Sequence, residues 1–176
     1  MEKHLISEVC SHPLLQYRAE VRPDWIDRND HMNNSFYLLI SQEACLHSIR
    51  AWRGDAPSNG AGPFGNFITQ ALVTYIREIR RGTLLTIQCR LANCDAKRAL
   101  VYAEMINSEN GKLAATVERT SVNVIRAHPP KAAPYPTEVY ANLRSVEQSH
   151  SGVPYLEGRS PVLALNSRRT ASPPAA

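Results

Sequence analysis

Between Ser35 and Arg53 apolar residues recur mostly at three- and four-residue steps, through Phe36, Leu39, Ile40, Ala44, Ile49 and Trp52. That spacing predicts a helix with a buried face. Leu38, Cys45 and Leu46 add apolar surface elsewhere, so most of the helix wants cover. Asn33, Asn34 or Ser35 can cap its first turn, and Arg50, Arg53 and Gly54 suit its end. Further along, the pattern changes. Four runs, roughly 66–79, 83–93, 99–107 and 113–125, are rich in Val, Ile, Thr and Tyr and predict strands. Turns at Arg81-Gly82, Asp95-Ala96-Lys97 and Asn110-Gly111 join them and predict an antiparallel meander. Around Glu118 to Ser121 the apolar parity shifts, which predicts a bulge. A weaker alternation from Tyr17 to Arg22, stopped by Pro23, gives a short first strand.

One strand, one largely apolar helix and four consecutive strands make an α+β order whose simplest packing wraps the sheet around the helix. The remaining segments are of other kinds: a loose arm to about residue 15, a Gly, Pro and Ser-rich connection over 55–65, and a Pro-rich stretch from Ala127 to Pro136. A short amphipathic helix is predicted over 137–149, capped by Thr137, and a disordered tail from about 166. The division expected is a sheet-and-helix domain over 1–126 and an extension over 127–176. A single sheet covers a largely apolar helix incompletely, so an exposed sheet edge or helix flank is expected to join a second protomer, giving a homodimer or homotetramer.

The 176 residues are 43% apolar, enough for one domain with a real core. No apolar run reaches bilayer length and no signal-type core follows Met1, so a cytoplasmic protein without membrane contact is expected. Cys10, Cys45, Cys89 and Cys94 lack metal or redox spacing and read as reduced thiols. The six His residues form no metal signature, so no metal is implied. The net charge of +4 favours an anionic partner. No zinc-finger, RNP or basic-helix pattern accompanies it, which argues against nucleic acid and leaves a small polyphosphate such as CoA.

The densest polar cluster runs from Asp24 to Asn34, a shaped loop between the first strand and the helix. Its residues Asp27-Arg28-Asn29-Asp30-His31-Met32-Asn33-Asn34-Ser35-Phe36-Tyr37 resemble the hydroxybenzoyl-CoA thioesterase branch of hotdog proteins, which typically reads Asp-x-x-Gly-His-x-Asn and then a helix. Glu43-Ala44 in the helix, and Gly82 and Gly111 before later strands, extend the resemblance over about residues 15 to 126. It implies a hotdog fold, an antiparallel sheet of about five strands around one long helix, and hydrolysis of an acyl-CoA thioester without a cofactor. It also makes Asp27 the catalytic carboxylate, with Asp24 the runner-up, and brings His31 and Asn33 along as loop members. One departure is Asp30, where the family has Gly: Asp visits positive φ only with strain and adds a second carboxylate near Asp27.

A thioester carbonyl needs a base or nucleophile on one side and N–H donors on the other. Asp27 supplies the first, attacking directly or activating water. The unpaired amides of the helical turn from Asn34 to Tyr37 supply the second. His31 would orient the loop or a water, and Asn33 is read as a cap more than a catalyst. Glu43, mid-helix, is an alternative acid. Arg81, Arg90 and Arg98 are candidate CoA contacts, since strand ends and turns can reach phosphates. Trp25 could line an acyl pocket or face a cationic acyl group. The segment Asp24-Trp25-Ile26-Asp27 is similar to the start of some thioesterases acting on betaine- or carnitine-derived CoA esters. Two rivals stand beside hydrolysis. A hotdog hydratase or dehydratase would place its His five residues after Asp, against four here, and a non-catalytic acyl-CoA-binding module would keep only the pocket.

Overall fold

The structure, a computed structural model, describes residues 14–54 and 63–165. The expected arm, most of the 55–65 connection, Cys10 and the tail from 166 lie outside the described residues. Strand β1 (Leu15–Glu20) leads through a 3-10 turn (Pro23–Trp25) to helix α1 (Asn34–Arg53). Strands β2 (Phe64–Tyr75), β3 (Leu84–Cys94), β4 (Arg98–Asn107) and β5 (Leu113–Ile125) follow, then a two-residue β6 (Lys131–Ala132) and helix α2 (Thr137–Ser151). The sheet is antiparallel throughout and packs around α1, the α+β hotdog arrangement expected.

The meander expectation needs correcting. β3, β4 and β5 pair in sequence order, but β2 pairs with β5, giving the order β1-β3-β4-β5-β2. The segment after Tyr75 explains why: it leaves the sheet instead of turning back, and Ile79, 2% exposed, is buried while its carbonyl accepts the Met32 N–H at 2.7 Å. A chain that crosses the end of the sheet in this way delivers β3 beside β1. β2 therefore also ends four residues earlier than its sequence pattern suggests. The bulge moves as well, since the extra residue lies in β2 between Ile68 and Gln70, opposite Ser121 and Thr120. The parity shift in β5 has a different cause: Arg119 occupies an inward position opposite Val101 and Ala71.

The inward rows are apolar and small where α1 lies close. Ala44 and Cys45 of α1, Cys89 of β3, Ala103 of β4 and Ala115 and Val117 of β5 are all buried in one cluster. The Cys45 and Cys89 sulfurs are 4.0 Å apart as free thiols. Tyr135, Val139 and Leu143 join the same cluster, so the chain beyond residue 126 contributes to the core. Asn123, fully buried, helps to hold it there by donating to the Ala133 and Pro134 carbonyls.

The outer face of the sheet is polar yet buried. Glu104 and Glu118, 1% and 2% exposed, aim their carboxylates at main-chain N–H groups of the segment following α2. Glu104 accepts from Leu156 at 2.7 Å and from the Gln88 amide at 2.8 Å. Glu118 accepts from Val162 at 2.9 Å and Leu163 at 2.7 Å. Arg90 takes the complementary groups, donating to the carbonyls of His150, Val153 and Pro154 while its guanidinium stacks 4.1 Å from the Tyr155 ring. Burying these charges is tolerable because each meets hydrogen-bonding partners.

Removing the Glu118 carboxylate takes the acceptor from the Val162 and Leu163 N–H groups. Glu118→Ala is expected to lower stability by about 2 kcal/mol in urea unfolding and to speed proteolysis within residues 152–165.

Candidate active site

The loop before α1 is closed by its own backbone. The Asp27 N–H donates to the His31 carbonyl at 2.9 Å, and the Asp30 N–H donates to the Asp27 carbonyl at 3.1 Å. Ile26 and Met32 bridge below this turn. Asp30 takes φ 60°, so the left-handed position that the family fills with Gly is kept by an Asp. Its carboxylate lies 3.8 Å from the Arg81 guanidinium, which brings Arg81 to the loop.

Asp27 is half-buried, and its Oδ1 accepts the Asn29 N–H at 2.8 Å. No hydrogen bond among the described residues reaches its Oδ2. The Asn33 side chain accepts the Ser35 N–H at 3.0 Å, the helix cap expected, while the Asn33 N–H donates to the Trp25 carbonyl. These contacts hold the loop against the first turn of α1.

An open depression of about 470 Å³ is lined by Asp27, His31, Met32, Asn34 and Tyr37 from the loop and helix, and by Tyr75, Ile76, Arg77 and Glu78 from the end of β2. The Tyr75 hydroxyl donates to the Asn34 carbonyl at 3.2 Å, and its ring meets the Tyr37 ring edge-on at 5.0 Å. His31 Nε2 stands 3.0 Å from a Glu78 oxygen. Burial raises the Tyr37 phenol above its ordinary pKa, a hydrogen bond with the Ile79 backbone opposes this, and the charges of Tyr75, Glu78 and Asp27 add to the rise. The Tyr37 hydroxyl thus keeps its proton at neutral pH.

Asp27, His31, Asn34 and Tyr37 therefore line one depression, with Asn33 and Arg81 holding or flanking its loop. Trp25 stacks on Phe36 at 5.5 Å and carries Arg22 over its ring at 5.8 Å, next to the loop but not in the depression. Asp24 is engaged by Arg22 through two hydrogen bonds, and that pairing holds its carboxyl below the ordinary range. Glu43 faces the Tyr17 side of α1. Arg90 is buried under the extension, where its guanidinium is committed to three carbonyls. Arg98 binds Asp95 at the far end of β4, opposite Val122 and away from Asp27.

Tyr75, Arg77 and Glu78 were not singled out as site residues from sequence. They lie some 45 residues after the loop, at and just beyond the end of β2, and long-range contacts bring them there: the Met32–Ile79 and Tyr75–Asn34 hydrogen bonds and the His31–Glu78 pair.

The arrangement offers a carboxylate, one of whose oxygens has no hydrogen bond among the described residues, beside a helix N-terminus, with Arg77, Tyr37 and Tyr75 around it. Residues 21–143 match the model of the Thioesterase-like superfamily. The betainyl-CoA thioesterase of Pseudomonas aeruginosa is 26% identical over 156 residues, covering 88% of this chain and 97% of that protein. A Staphylococcus aureus protein solved in complex with CoA superposes with TM-score 0.75 at 18% identity, covering 91% of this chain and all of the other. A putative thioesterase from Pseudomonas putida gives TM-score 0.65 at 25% identity, covering 88% and 99%.

The strained turn can be probed directly. Asp30→Gly is expected to leave stability within about 1 kcal/mol of the parent, whereas Asp30→Val lowers it by about 1–2 kcal/mol more than the Gly variant, both read from urea unfolding.

Proposed function

Because the chain belongs to the Thioesterase-like superfamily, we propose that it hydrolyses an acyl-CoA thioester at the depression beside α1, with Asp27 as the catalytic carboxylate. The observation that carries this reading is the shared lining of one depression by Asp27 and the first-turn residues Asn34 and Tyr37. The thioester carbonyl carbon would sit near Asp27 Oδ2, with its oxygen toward the N-terminal end of α1, where the helix dipole is positive. Asp27 removes a proton from water as the water attacks, or attacks the carbonyl itself to form an anhydride that water then opens. In either route the C–S bond breaks and CoA leaves as the thiolate, which takes up a proton.

His31, held by Glu78, orients the loop and the water. Tyr75 fixes the helix start through the Asn34 carbonyl. Arg81 and Arg77 at the rim supply positive charge for the CoA phosphates, and Arg77 is itself placed by Glu157 and the Leu113 carbonyl. The betainyl-CoA thioesterase relative makes a short cationic acyl group the first to try.

Thiol release from a panel of acyl-CoA esters, including betainyl-CoA, tests the activity. Asp27→Asn is expected to lower kcat by about 100-fold or more with the fold intact. Unchanged turnover in that variant would remove Asp27 from the chemistry. Hydration of crotonyl-CoA without thiol release would mark a hydratase, and no turnover with tight CoA-ester binding a binding module.

The working unit is proposed to be a homodimer. Among the described residues β2, 12 residues long, has no strand on its outer edge, and Phe67, Ile68 and Tyr75 on it, with Leu38, Leu39 and Leu46 on α1, are exposed apolar side chains. A twofold antiparallel pairing of two β2 edges would satisfy the free backbone groups and cover that surface. Light scattering is expected to show twice the chain mass, and Phe67→Asp combined with Ile68→Asp to shift it to the monomer.

A further inference from the structure

The segment that straps the outer face of the sheet after α2 carries a short turn, Leu156–Gly158, in which two successive residues are left-handed: Glu157 at φ 52° and Gly158 at φ 67°. L residues avoid that conformation, so Glu157 is held in it by its surroundings. The turn is pinned on both sides, since the Leu156 N–H donates to Glu104 at 2.7 Å and Tyr102 donates its hydroxyl to the Arg159 carbonyl. Between these pins Glu157 reaches Arg77, which lines the Asp27 depression, and both of its oxygens accept from Arg77 Nη1, at 2.8 and 3.1 Å. Arg159 Nε stands 3.9 Å from the same carboxylate. One acid thus bridges two arginines, one from the crossing after β2 and one from the strap.

A guanidinium carries several N–H donors in a fixed fork, and one carboxylate cannot occupy those of two. Arg77 uses Nη1 alone, for Glu157 and for the Leu113 carbonyl at 2.5 Å. Among the described residues its Nε and Nη2 make no hydrogen bond, and neither do Nη1 and Nη2 of Arg159. Nε and Nη2 share one edge of the guanidinium, the edge that takes two oxygens of a single phosphate. The two side chains are 42% and 46% exposed, so a ligand can reach them. Arg77 stands two residues beyond the end of β2 and Arg159 belongs to the strap, so neither is part of the apolar surface assigned to the homodimer. Glu78 pairs with His31 of the loop, whereas its neighbour Arg77 is anchored to β5 and the strap. The arginine pair therefore lies on the side of the depression away from the loop, where the long pantetheine arm can carry the phosphates of a CoA ester seated at Asp27.

We propose that Arg77 and Arg159 form a polyphosphate site for the nucleotide end of CoA, with Glu157 as the positioning residue that holds the two guanidiniums side by side. The choice of CoA as ligand rests on the hydrolase reading above. The strap then supplies part of the substrate site, and Arg159 is a contact that no other element of the fold could provide. A carboxylate between cations can also act in the opposite sense, by masking their charge. The geometry favours positioning, because Glu157 engages Arg77 through Nη1 only and leaves the Nε–Nη2 edge open.

The test uses the full-length protein and two readouts: calorimetric binding of CoA, and the ratio of KM values for an acyl-CoA and the matching acyl-pantetheine, which lacks the nucleotide and its phosphates. Arg77→Met and Arg159→Met are each expected to weaken CoA binding about fivefold or more, and to raise KM for the CoA ester relative to the pantetheine ester by a similar factor. Arg159 is tied to the sheet by its carbonyl, so its side chain can be exchanged with the strap still attached. Glu157→Ala is expected to weaken CoA binding comparably, and Glu157→Gln, which keeps one acceptor for Arg77, to weaken it less. Tighter CoA binding in Glu157→Ala would mean that the acid masks the cations, and parental CoA binding in Arg159→Met would remove Arg159 from the site. Either result overturns the proposal, as does a rise in KM that is equal for the two esters, which a loosened fold would give, or a parent protein that does not bind CoA. If no ester is turned over while CoA binding responds as expected, the hydrolase reading fails and the polyphosphate site stands. Turnover of both esters with a ratio that none of the variants shifts has the reverse meaning.

Discussion

Helix α1 can reach the sheet only because the residues between them are small. Ala44 and Cys45 face Cys89, Ala103 and Ala115, each at most 5% exposed, and such side chains let a helix settle close to the strands. Larger groups at these positions would push the helix outward and carry its first turn with it. That first turn lines the depression with Asp27. The placement of the chemistry is therefore a consequence of packing some two turns further along the same helix. The Met32–Ile79 hydrogen bond is the second fixed point, and it ties the loop to the chain leaving β2.

Local signals in the sequence were read reliably where a local cause existed. α1 begins at Asn34 with Asn33 as its cap, and Gly82 and Gly111 take positive φ at their turns. The Asp27 loop was legible because its residues share one continuous stretch. Strand order was not, since adjacent strands with short connections favour hairpins and nothing within β2 announces its pairing with β5. For the same reason Tyr75 and Glu78 could not be assigned to the depression, which needs the crossing after β2.

The parity shift in β5 shows how a correct signal can receive the wrong cause. Polar residues at Glu118 to Ser121 suggested an inserted residue. The strand instead keeps its alternation there, with Glu118 outward beneath the extension and Arg119 inward in a cavity. Arg90 misled in the opposite sense: a cation on a strand suggested a phosphate contact, but its place is under a segment whose path over the sheet has no short-range signature.

That segment is gripped by its backbone. Glu104 and Glu118 accept the N–H groups of Leu156, Val162 and Leu163, so the grip is blind to which side chains those positions carry. Most residues can replace them without loosening the attachment, with proline the exception because it has no N–H to offer. The strap is thus free to vary at Leu156, Val162 and Leu163 while the two acids beneath it are not, and it is held by side chain at Tyr155 and Glu157, which meet Arg90 and Arg77.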